Sequence, residues 1–508
     1  MAEPLPTRTK WLFGLGSMAD GAQIQLIGGI LLLYYSQILR LPTALVSLAI
    51  GMSLFIDAFW DLLIAQISDN LRTRLGRRHL LMYVSAIPAG LSFMCLWMPP
   101  PHLSQGRLFS WLLTFILCFR FSHSLYMAPS GALLPELAKD YHDRTVLFGY
   151  RYMLGTIGGA IAAVITYGVF LRKTAAYPLG QLNPAGYPPM AVTIGVFIAV
   201  TSLISSLGTH SRIGALYRPP VRKLALRETL AEIGSILNNH NFLVAVAAGM
   251  LAAVSLALVQ GLAIYFSTFM FHLPSSNIML IVATQVMSAP IAFLLAPAAA
   301  RRWGKRRAYL TLFTSSLIFV HGPIVLRLTG AFPANGSPLL LPLLMLANTV
   351  SGILSTAGAI LNTSMIADIV EENQAKTGRR SEGLVLFSDR LLLKVAASLA
   401  TILPGVLLAV VGFPAAAKPV SLDPDIVRRL AWVYVPLSVS LSALSMLTWI
   451  FFRIDHGAHA RNLEAIAERE RSRDTAAEGA AVFPPVEIGM DVLGPADEPP
   501  RQRDQEPV

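Results

Sequence analysis

Runs of about twenty or more predominantly apolar residues, separated by short polar stretches, recur from one end of the chain nearly to the other. Windows of that length predict spans over 11–39, 43–68, 80–98, 108–134, 148–171, 189–209, 242–271, 278–299, 309–328, 339–365, 384–412 and 430–452. Each can cross a hydrocarbon core of ~30 Å. Basic residues collect after the even-numbered spans: Arg72, Arg74, Arg77 and Arg78; Lys139 and Arg144; Arg212, Arg218, Arg222, Lys223 and Arg227; Arg301, Arg302, Lys305, Arg306 and Arg307; Lys376, Arg379 and Arg380. Positive loops remain on the cytoplasmic side, so both termini are expected there.

Composition narrows the class. The 508 residues are 54% hydrophobic and 14% charged, with mean hydropathy +0.58, whereas soluble domains carry about 25% charged residues. A net charge of +11 raises a nucleic-acid reading, but the cations sit between apolar runs instead of forming a basic face, and no nucleic-acid partner is expected. Cys95 and Cys118 fall inside spans three and four as packing residues, and no Cys/His cluster has metal-ligand spacing. Met1 to Lys10 is short and polar, so the first span is expected to stay as an uncleaved anchor. The expectation is an integral, multi-pass protein of a bacterial inner membrane, monomeric and surrounded by lipid.

Two loops repeat. Asp69 to Arg78 contains Arg74-Leu75-Gly76-Arg77-Arg78, and six spans later the chain reads Arg302-Trp303-Gly304-Lys305-Arg306-Arg307. A glycine between basic residues at a six-span interval predicts a parallel repeat and alternating access. The fold class is therefore an all-α membrane protein of about twelve helices: a six-helix bundle over 1–209, a linker over 210–241, a second six-helix bundle over 242–454 and a charged, largely disordered tail over 455–508. In the linker, Leu226, Leu230, Ile233 and Leu237 recur at helical spacing with Glu228 and Glu232 on another face, predicting an amphipathic helix.

Ionisable groups inside spans are costly and mark function. Asp57 and Asp61, four residues apart, share one helix face, and Asp57 lies about 18 Å of rise from Asp69, near the midplane. Two carboxylates there repel unless a cation binds or one takes a proton. This predicts a site for a coupling ion, sodium or proton, with salt bridging to a neighbouring helix as the plain alternative. Lys394, about 16 Å of rise beyond Gly383, is the expected counter-charge. Arg120 and His123 lie in span four; Arg120 calls for either a structural ion pair, with Asp20 as a candidate partner, or an acidic group on a solute. Gln25, Gln260, Gln285 and Asn348 are cavity or interhelical polar residues. Pro129, Pro290, Pro323 and Pro404 would bend their helices.

Together with Leu134-Pro135-Glu136-Leu137, Arg144, Tyr150-Arg151, and the stretch from Met365-Ile366-Ala367-Asp368 to Thr377-Gly378-Arg379-Arg380-Ser381-Glu382-Gly383, these residues make the chain resemble the glycoside-pentoside-hexuronide cation symporters of the major facilitator superfamily over nearly all of 8–455. The resemblance implies the major facilitator fold, a cation site at Asp57 and Asp61, coupling through Lys394, and a cytoplasmic gate of Asp69, Arg77, Asp368, Glu371 and Arg379; the candidate substrate contacts are Asp20, Arg120, Arg151 and Gln260, of which Arg120 is not a mark of that family. Met127 stands where a sugar-transporting member has a third acidic residue, and Asp20 and Arg151 are offset by about one position, so the mechanism carries over and the galactoside does not. The expected activity is symport of a sugar, glycoside or uronide with sodium or a proton. The alternatives are an amphipathic, lysolipid-like solute and a non-transporting receptor or scaffold. No nucleotide loop, metal cluster or nucleophile motif predicts an enzyme, and no cofactor is expected beyond the coupling ion.

Overall fold

The structure is a computed structural model and describes residues 5–138, 141–213, 239–377, 382–417, 419, 422–452, 461, 464, 468 and 471. The amphipathic segment Leu226 to Leu237, Arg379 and most of the tail lie outside the described residues. Among those described, eleven helical runs are long and apolar enough to cross a membrane, and the regular elements are all helical.

The first expected span is realised in pieces: α1 (Thr7–Leu15), α2 (Ser17–Ile27) and α3 (Leu31–Leu33), the last continued by a π-helical turn over Tyr34–Ile38. The breaks fall at Gly16 and at Gly28-Gly29, as expected of glycine in a long helix. The others follow as α4 (Thr43–Asn70), α5 (His79–Trp97), α6 (Gln105–Leu137), α7 (Tyr141–Ala163, extended by a π-helical turn Val164–Phe170) and α8 (Tyr187–His210). Beyond the linker come α9 (His240–Tyr265, extended by a π-helical turn Phe266–Met270), α10 (Ser275–Trp303), α11 (Lys305–Leu328), α12 (Leu340–Thr377), α13 (Glu382–Ala400), α14 (Leu403–Val410) and α15 (Pro424–Thr448). Only 17% to 50% of each span's most apolar stretch is buried. The remaining apolar side chains, such as Leu294 and Val410, point outward, which suits lipid.

A repeat missed in the sequence is plain in the backbone. Arg40-Leu41-Pro42-Thr43 and His272-Leu273-Pro274-Ser275 close the first and seventh spans alike. Arg40 (φ 62°) and His272 (φ 50°) are left-handed, and the next amides donate back to Tyr35 and Ser267 carbonyls, each at 2.9 Å. Each bond reaches back six residues, one more than the six-to-one bond that commonly ends an α-helix, because it closes a π-helical turn, and each proline prevents the ended helix from continuing.

Helix association in lipid depends on close backbone approach. At Gly21 of α2 a Cβ would lie 1.8 Å from the Gly155 carbonyl oxygen of α7. Gly405 plays the same part between α4 and α14: a Cβ there would lie 2.3 Å from the Thr43 carbonyl oxygen.

The two ends of the bundle differ. Away from the basic loops, one apolar cluster draws on both sequence halves, joining Leu31, Tyr34 and Tyr187 with Tyr265, Phe269 and Phe413. Polar bonds cross there too: Ser36 to Tyr265 at 2.6 Å, Thr43 to the Gly405 carbonyl at 2.9 Å, the Ala417 amide to Gln37 at 2.9 Å, and Gln181 to Thr268 and Ser275 at 3.1 and 2.8 Å. Toward the basic loops the core divides into one cluster around Phe242, Tyr309 and Trp449 and another around Phe13, Met82 and Tyr126.

A candidate ion and solute site at the midplane

Asp57 sits midway along α4, Arg120 midway along α6, and Lys394 in the middle of the run formed by α13 and α14. Helical spacing aims Asp57 and Asp61 the same way, and Lys394 from the other half reaches both, its Nζ 2.7 Å from Asp57 Oδ2 and 2.5 Å from Asp61 Oδ2. Ser124 donates to Asp57 Oδ1 at 2.7 Å. Arg120, buried, lies 3.7 Å from Asp57 Oδ2 and donates through Nε to Ser53 at 2.9 Å. Asp57 is 5% exposed, so its charge depends on these partners.

Asp20 does not meet Arg120. It lies 3.2 Å from His123 Nε2 and accepts from Gln23 at 3.0 Å, because α2 faces the turn of α6 that follows Arg120. The sequence singled out Arg120 but missed Ser53, Gln23 and Ser124 as partners; Ser124, four residues from Arg120, shares its helix face and was the readable signal.

These groups border a cavity of two lobes, each about 450 Å³. One, between α2, α4, α6, α9 and α13, holds Asp57, Asp61, Arg120, Lys394 and Gln260. The other, between α2, α7 and α10, holds Arg151, Gln25 and Gln285 with apolar walls from Phe148, Tyr152, Val282 and Val286. Asp20 and Met127 border both. Arg151 donates to Ser17 at 3.2 Å, touches the Met127 sulfur at 4.0 Å, and lies 5.4 Å from the centre of the Phe13 ring. Asn348 instead bonds the Ile281 carbonyl across helices at 3.0 Å, and Cys118 is exposed rather than packed.

The gate residues pair in a way that spacing along the chain did not reveal. Asp69 meets Arg78 at 3.1 Å, while Arg77 and Arg78 both bond Glu136, all within the first half. Asp368 accepts from Lys305 at 2.7 and 2.9 Å within the second, and its neighbour Glu372 accepts from Asn241 at 2.9 Å. Glu371, one turn from Asp368, lies partly buried near this group.

A bundle of membrane-crossing helices sealed at one end over an ion-paired cavity is the architecture of a solute carrier. A nucleoside transporter of known structure superposes with TM-score 0.57 at 16% identity, covering 87% of this chain and 98% of that one. The chain belongs to the MFS/sugar transport protein family, whose sequence profile matches residues 12–456. It is 22% identical to the isoprimeverose transporter of Lactiplantibacillus pentosus over 89% of each chain. It is 23% identical to a putative sulfoquinovose importer of Salmonella typhimurium over 92% of this chain and 94% of that one. The protein is thus an integral, multi-pass membrane protein of a sugar-transporter family.

Proposed function

We propose that the protein is a secondary symporter that moves a sugar, glycoside or uronide together with sodium or a proton by alternating access of its two six-helix halves. The observation that carries this reading is Lys394 bridging Asp57 and Asp61 across the halves. A cation or proton arriving at these carboxylates competes with the ammonium and weakens a tie between α4 and α13, so ion occupancy and helix arrangement are linked. The bonds at the sealed end then hold the extracytoplasmic side shut while the solute cavity communicates with the basic, cytoplasmic side. The relatives named for isoprimeverose and sulfoquinovose support a sugar-derived solute.

Uptake into proteoliposomes under an imposed sodium or pH gradient tests it. Asp57→Asn should abolish gradient-driven accumulation, a fall of roughly 100-fold or more for a buried, doubly paired charge. Accumulation that ignores both gradients, or an Asp57→Asn protein that accumulates normally, would sink coupling at this site. A second reading rests on the apolar walls between α7 and α10: an amphipathic, lysolipid-like solute. Competition by such lipids in the same vesicles, with sugars inert, would favour it.

A further inference from the structure

Asp57 and Asp61 of α4 face two cationic side chains, and the two are held differently. Lys394 comes from the other half on a flexible stem, and its side chain is 25% exposed at the edge of the cavity, so an arriving ion can displace it. Arg120 has no such freedom. Its side chain is 10% exposed, its Nη1 lies 3.7 Å from Asp57 Oδ2, and its Nε donates to Ser53 Oγ at 2.9 Å. A guanidinium keeps its proton in a protein, so this charge is present at every working pH. The other ionisable groups of this lobe, Asp20 of α2 and His123 of α6, lie 3.2 Å apart and engage each other.

We infer, resting on the symport reading above, that Arg120 sets the choice of coupling ion: it is a tethered cation that bars sodium from the Asp57 and Asp61 pair. Sodium is a hard cation and needs several oxygens around it at once. The donor set falls short of that. Ser53 gives its proton to the Ile50 carbonyl at 2.7 Å and one lone pair to Arg120, Ser124 gives its proton to Asp57 Oδ1, and Met127 on the same lobe presents a soft thioether. A metal ion drawing on Asp57 Oδ2 would also lie on the order of 4 Å from the guanidinium. A like charge at that distance costs roughly 1000-fold in affinity at an effective dielectric constant of ~20. Of the two ions that the symport reading allows, this leaves the proton. It requires one oxygen and no coordination shell, and Asp61, 38% exposed and paired with Lys394 but not with Arg120, offers one.

The test is thermal unfolding of the purified full chain at fixed pH, in sodium chloride against choline chloride of equal concentration. Expected are no difference between the salts for wild type and for Arg120→Lys, and a sodium-specific rise of a few degrees in Tm for Arg120→Gln. That rise corresponds to a gain of roughly 100-fold or more in sodium affinity, and it should disappear when Asp61→Asn is added. Stabilisation of wild type or Arg120→Lys by sodium overturns the inference while leaving symport standing. So does an Arg120→Gln protein indifferent to sodium, or a rise that survives Asp61→Asn and so places the ion elsewhere. Should Arg120→Gln fail to fold, Arg120→Met, which drops the charge and keeps most of the volume, carries the same expectation. Failure of the symport reading shows separately, as vesicle uptake that follows neither gradient.

Discussion

The two ends of the bundle are built on opposite plans. Away from the basic loops, Ser36, Gln37, Thr43 and Gln181 of the first half bond Tyr265, Ala417, Gly405, Thr268 and Ser275 of the second, over a shared aromatic cluster. Toward the basic loops, Arg77 and Arg78 close on Glu136 and Lys305 on Asp368, so the ion pairs staple each half to itself. On the proposed alternating-access reading, the difference teaches where the switching energy resides. Opening the sealed end would break neutral hydrogen bonds and apolar contacts made across the halves, whereas the ion pairs of the charged loops described here lie within their own halves.

This contrast can be broken in three places. The largest effect is expected from Gly405→Leu, since even a Cβ at this position would lie 2.1 Å from Ser47 Oγ. Overpacking of about 1–3 kcal/mol should shift the population toward an opened seal by roughly 5- to 150-fold. Labelling of Ser36→Cys by an impermeant maleimide, with Cys95 and Cys118 replaced, reads this directly, because Ser36 is fully buried. An unlabelled reporter would mean that this contact does not hold the end shut. A smaller rise, about 5-fold, is expected for Gln181→Ala, which leaves the Thr268 and Ser275 hydroxyls short of a partner at a cost of about 1 kcal/mol. Smallest of all is Lys305→Ala: a partly exposed pair is worth at most about 1 kcal/mol, so labelling should stay within about 2-fold and Tm should fall by no more than a few degrees. A large change in labelling there would show that the basic-end pairs do join the halves.

Much of this is legible in the chain itself. Apolar run length placed the spans, because a bilayer dictates how many residues must be apolar in succession. The i, i+4 spacing of Asp57 and Asp61 fixed their common face, and the depth of Lys394 marked it as their counterpart. What stayed hidden depends on rotation between distant helices. Nothing in the chain says that α2 turns Asp20 toward His123 and away from Arg120, that Asp69 meets Arg78 instead of Arg77, or that Gln181 in a connecting loop reaches Thr268 and Ser275. The first span reads as one helix in the sequence because Gly16 and Gly28-Gly29 are tolerated breaks whose effect depends on what packs against them.

The paired turns at Arg40 and His272 bear on how such a molecule could have arisen. Both close a span with the same left-handed residue, the same backward amide bond and the same leucine-proline step into the following helix. The exit angle is therefore written mainly into main-chain geometry, which tolerates drift in the flanking side chains, and a single ancestral gene for six helices, doubled end to end, would already have supplied matching walls for a cavity before any residue within it acquired a charge.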